Sequence, residues 1–122
     1  MNPLELAWDT FDFHGEDIAR LEALQASNMM KVKVFSSKRV NPTESEKHKL
    51  LNNILSCCGK LISNYQKQLH SISELNILYD SGVEIPLERQ MDNRYLDELA
   101  DLTMMLIHEV KAYRERIVKK LS

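Results

Sequence analysis

The sequence predicts an all-α protein: a long antiparallel helical hairpin with one or two shorter N-terminal helices, bundle-like and completed by dimerisation. Three observations predict it. Thr43–Tyr79 and Pro86–Leu121 are each long enough to form one unbroken helix, and both place apolar residues at alternating three- and four-residue spacing. Only Asp80-Ser81-Gly82-Val83-Glu84-Ile85 separates them. With 3 glycines and 3 prolines, the chain also lacks the turn residues of an all-β domain.

The N-terminal segment opens Asn2-Pro3-Leu4-Glu5, a capping residue followed by proline at the first helical position. Leu4, Ala7, Trp8 and Phe11 then fall on one helical face, and Gly15 offers a stop. A second helix is expected over about Glu16–Met29, with acids in its first turn. Lys31-Val32-Lys33-Val34-Phe35 alternates strictly, as a strand does, yet the chain has no second strand to pair with it. It is expected as an extended connector, or as a strand that pairs with a partner.

The long helix starts at a capping box, Thr43 followed by Glu46. Leu51, Leu55, Cys58, Ile62, Tyr65, Leu69, Ile72, Asn76 and Tyr79 follow as a coiled-coil-like heptad stripe. Leu50, Ile54, Leu61, Leu75 and Leu78 widen it beyond a two-helix seam. Ser81-Gly82 stops this helix and Pro86 opens the next. The last stripe runs Met91, Tyr95, Leu99, Leu102, Leu106, Val110, Tyr113, Ile117, Leu121. Two domains' worth of character result: residues 1–42, an acidic and aromatic arm with a basic connector, and residues 43–122, the hairpin. Folding the hairpin about Val83 is expected to set Cys58 opposite His108 and Ile62 opposite Met104. Gly59, beside Cys57 and Cys58, reads either as a point of close helix approach or as a tolerated glycine on the exposed face.

Charge is strongly segregated although the net value is only −2. Glu5, Asp9, Asp12, Glu16, Asp17 and Glu22 dominate the first thirty residues, and a second acidic block surrounds the expected turn. Lys31, Lys33, Lys38, Arg39, Lys47 and Lys49 form one basic run, and Lys111, Arg114, Arg116, Lys119 and Lys120 another. In a hairpin both basic runs meet at the open end. The balance excludes a strongly basic nucleic-acid module. No apolar run approaches a membrane span, and adjacent Cys57 and Cys58 fit a reducing compartment, so a cytoplasmic location is expected.

Signals for chemistry are weak. His14, His48, His70, His108 and the two cysteines show no metal-ligand spacing, so no metal or cofactor is expected. A Cys58–His108 nucleophile is conceivable, but a packed core thiol is the simpler reading. Glu98-x-x-Asp101 resembles, over four residues, the acidic helix motif of all-α nucleotide pyrophosphohydrolases, which need a second such helix that this chain lacks. A non-catalytic protein–protein interaction module is therefore expected: a small helical adaptor, inhibitor or chaperone-like regulator that also forms a homo-oligomer. Trp8, Phe11 and Phe13 are the candidate apolar anchors. Lys38, Arg39, Lys47, Lys49, Arg114, Lys119 and Lys120 are the candidate steering charges. The alternative is a nucleic-acid-binding regulator that uses the same basic end.

Overall fold

A computed structural model describes residues 2–121 of the chain. It is all-helical, with three long helices packed on one another and no strand among the described residues. Helix α1 spans Pro3–Phe35, α2 spans Glu44–Asp80 and α3 spans Leu96–Leu121; two short 3-10 turns, Leu87–Arg89 and Asp92–Tyr95, precede α3. Successive helices run antiparallel. The central α2 packs along both α1 and α3.

Helix α1 starts as its capping signal dictates: the Asn2 side chain accepts a hydrogen bond from the Leu4 N–H at 2.8 Å. It then departs from expectation. One 33-residue helix replaces the two short ones. It passes through Gly15 without a break, and Lys31–Phe35 forms its last turns, not a strand or connector. The reason lies in the packing stripe. Ile18, Leu21, Gln25, Asn28 and Val32 are all buried, which continues the three-and-four spacing beyond the point where purely apolar residues stop. Packing of that stripe on α2 outweighs the roughly 1 kcal/mol helix penalty of one glycine. A Cβ on Gly15 would meet Gln68 Nε2 only at 3.9 Å, so no close approach demands the residue. The helix ends at Ser36, whose N–H and Oγ both donate to the Val32 carbonyl, at 3.0 and 2.9 Å.

Helix α2 follows its sequence closely. Thr43 Oγ1 accepts from the Glu46 N–H at 3.1 Å and Glu46 Oε1 accepts from the Thr43 N–H at 3.3 Å. Ser81 caps its far end, and Gly82 takes a φ of 80°, where a side chain would be strained. Gly59 faces open space, so the exposed-glycine reading holds and the close-approach reading falls.

The expected single rod Pro86–Leu121 is broken at its start. Tyr79 explains the break: its hydroxyl donates to the Arg89 carbonyl at 2.7 Å. An α-helix would give that carbonyl to the N–H four residues on. Trp8 Nε1 donates in turn to Tyr79 Oη at 3.2 Å, and the Arg89 guanidinium sits 4.8 Å above the Trp8 ring. Residues 86–95 are thereby folded across the end of the bundle as a lid. Asn2 Nδ2 ties the start of α1 to the same segment by donating to the Glu84 carbonyl at 2.9 Å.

Three apolar clusters stack along the bundle. Leu4, Trp8, Ile72, Leu75 and Leu96 fill the turn end. Ile18, Leu21, Cys57, Leu61, Ile62, Tyr65 and Ile107 fill the middle. Val32, Leu50, Ile54, Cys58 and Ile117 fill the opposite end. Cys58 thus shares a cluster with Ile117 and Tyr113 rather than lying opposite His108, and Ile62 clusters with Ile107 while Met104 is exposed. The register is displaced by about a helical turn because the lid consumes residues that a tight hairpin would have placed in α3.

A candidate protein-interaction groove

The backbones of α1 and α3 each approach α2 closely and stay further from one another, while their side chains meet in the three clusters. Between them runs an open groove floored by Leu61 and Tyr65 of α2. Gln25, Ala26 and Met29 of α1 form one wall, and Leu106, Val110 and Tyr113 of α3 form the other; the volume is about 540 Å³. It continues past Val32 and Ile117 into a further 370 Å³ toward Lys33 and Lys120. The cause is the width of the α3 stripe. The Leu96–Thr103–Ile107–Ile117 row is buried in the bundle, which leaves the adjacent Leu106, Val110 and Tyr113 only partly covered.

The groove has a charge gradient along its axis. Glu22 of α1 and Glu109 of α3 line it on opposite sides, and Arg116 lies further along toward the basic end. Burial raises the Tyr65 phenol to about 12, and the charge of Glu22, its hydrogen bond with that carboxylate and the charge of Glu109 push the same way. Burial also raises Tyr113. Tyr65 is therefore a neutral hydrogen-bonding floor at any physiological pH. Among the described residues, neither Glu109 nor Arg116 takes part in an ion pair.

The basic end assembles as its chain positions require. Lys38 and Arg39 lie on the loop after α1, Lys47 and Lys49 in the first turns of α2, and Arg114, Lys119 and Lys120 near the end of α3. Lys47 and Lys120 line one small cavity of about 200 Å³ with Phe35 and Leu121. The aromatic set divides. Trp8 is 6% exposed and the partly buried Phe11 packs against the same cluster, with ring centroids 5.2 Å apart, so both are engaged by their own chain. Phe13, 62% exposed, alone presents a free aromatic face.

Sequence reasoning missed a polar seam between α1 and α2. Gln25, Asn28, Gln68 and Ser71 are all buried there. Asn28 Nδ2 donates to Gln25 Oε1 at 3.0 Å, and Gln25 Nε2 donates to Cys58 Sγ at 3.1 Å. Among the described residues Gln68 Oε1 is buried without a hydrogen-bond partner. The signal was present in the spacing Leu21, Gln25, Asn28, Val32, had polar residues been counted in the stripe. Burial raises the pKa of both Cys57 and Cys58, so the thiols are protonated. No group of three His, Cys, Asp or Glu side chains converges as a metal site among the described residues. No described helix is long and apolar enough to cross a membrane.

Against family models, curated proteins and solved structures, no match to this chain was found.

Proposed function

We propose that this chain is a non-catalytic protein–protein interaction module, a small helical adaptor, inhibitor or chaperone-like regulator of the cytoplasm, and that it self-associates. The open groove between α1 and α3 carries this reading. It is apolar, flanked by charge and runs along two helices, and leaving it empty exposes an oily strip to water. Helix-in-groove docking uses this geometry. The basic end, with Lys38, Arg39, Lys47, Lys49, Arg114, Lys119 and Lys120, steers an acidic partner toward it, and Phe13 adds an exposed anchor. The test is paired affinity capture with the wild-type chain and a Met29→Glu/Leu106→Glu variant of unchanged circular dichroism. Partners recovered by the first and lost by the second support the module; identical recoveries sink it.

The gathering of seven cations at one end supports a second reading, a nucleic-acid-binding regulator. A salt titration separates the two. Binding of DNA or RNA that weakens steeply with salt favours the regulator, and absence of binding at about 50 mM salt eliminates it.

A further inference from the structure

Resting on the reading of the groove as a helix berth, we infer that its occupant is α3 of a second copy of this chain, laid antiparallel about a dyad beside Ala112.

Among the described residues two charges on α3 lack a carboxylate or cation to pair with, although the Arg116 guanidinium lies 5.9 Å from the Tyr113 ring centroid. Glu109 and Arg116 are two turns apart on the same exposed edge of α3, and neither has an ion-pair partner among the described residues. An antiparallel second α3 centred between residues 112 and 113 brings Arg116 of each copy to Glu109 of the other. Across the groove Glu22 faces the same space, because Glu22 and Glu109 line its two walls. The arrangement is self-complementary, as a two-fold interface must be. At the dyad each copy offers exposed Ala112, whose small side chain lets two helices approach closely.

The apolar part agrees. Leu106, Tyr113 and the half-exposed Met105 flank Ala112 on α3, so each copy covers the other's uncovered row. A parallel arrangement would instead stack the cations at the end of α3 on their own copies. The overlap spans about 18 residues of α3, or about 27 Å, at a width of about 20 Å for two helices. That hides roughly 1,100 Å² over both copies, just above the ~1,000 Å² a specific interface needs. Lys38, Arg39, Lys47 and Lys49 lie beyond the groove and stay free for a further partner.

Light scattering on the full chain at about 100 µM should give twice the 14.2 kDa mass of one copy. Glu109→Arg and Arg116→Glu should each weaken the dimer at least tenfold, and the double exchange should restore it. Under mild oxidation, Ala112→Cys should crosslink into a symmetric dimer, while Ser63→Cys on the outer face of α2 should not; the buried native thiols stay out of the reaction. A single-copy mass overturns the inference and leaves the berth to a different protein, which the capture experiment detects independently. A dimer insensitive to both charge exchanges, or crosslinking no faster through residue 112 than through residue 63, overturns the placement.

Discussion

The two ends of this bundle hold together in different ways. At the turn end, Trp8 and Leu96 seal an apolar cluster, and the polar atoms around it are paired: Trp8 to Tyr79, Tyr79 to the Arg89 carbonyl, Asn2 to the Glu84 carbonyl. At the opposite end a comparable cluster around Ile54 and Ile117 is ringed by cations with few counter-charges. One end is closed by directional bonds, which demand one geometry. The other is joined across helices chiefly by packing, with Gln25 donating to the Cys58 thiol and the Ile54 carbonyl, and its rim is mostly cationic, Lys47 being paired with Glu44. The closed end is expected to be the rigid anchor, and the charged end the part that responds to salt and to partners.

Breaking each end tests this contrast. The largest effect is expected from Trp8→Ala, which removes a buried indole, its hydrogen bond and its contact with Arg89; urea denaturation should show a loss of about 3–5 kcal/mol. Ile117→Ala opens the other cluster and should cost about 2–5 kcal/mol. Hydrogen exchange should then localise the loosening to the ends of α1 and α3 and leave the turn end protected. Equal loosening of both ends would erase the distinction. Tyr79→Phe keeps the ring but strands the Arg89 carbonyl and the Trp8 N–H. A cost of about 1–3 kcal/mol is expected, with exchange rising selectively over residues 86–95. The smallest effect sharpens the comparison from the charged side. Lys47 sits in the first turn of α2, where the helix dipole disfavours a cation; it shares a cavity with Lys120, and its one ion pair among the described residues is a 3.5 Å contact with the largely exposed Glu44, which contributes little. Lys47→Glu should stabilise the fold by about 0.3–1 kcal/mol at low salt, and the gain should shrink as salt is added.

The same contrast marks what the sequence could disclose. Helix α2 was legible from end to end, because its capping box, stripe and terminal Gly82 are local signals that agree. The second half of α1 was not. Its stripe passes through Gln25 and Asn28, and the alternation at Lys31–Phe35 imitates a strand over a stretch too short to show the helical period. The start of α3 was hidden for another reason: the Tyr79 hydroxyl takes the Arg89 carbonyl and is itself held by Trp8, from far along the chain. Among the candidate site residues, the placement of the basic set at one end follows from antiparallel topology alone. Trp8 and Phe11 were not, since an amphipathic pattern shows that a face is apolar and not what covers it. The groove itself was visible only as an α3 stripe too wide for one neighbour.

The central place of α2 has a consequence for how the chain is made. Because the backbones of α1 and α3 each approach α2 more closely than one another, α1 and α2 can zip together once Asp80 has left the ribosome. Helix α3 then meets a finished template. Its contacts run from Leu96 against Leu75 beside the turn to Ile117 against Leu50 at the far end, so docking can begin with the nearest pairs in sequence and proceed outward.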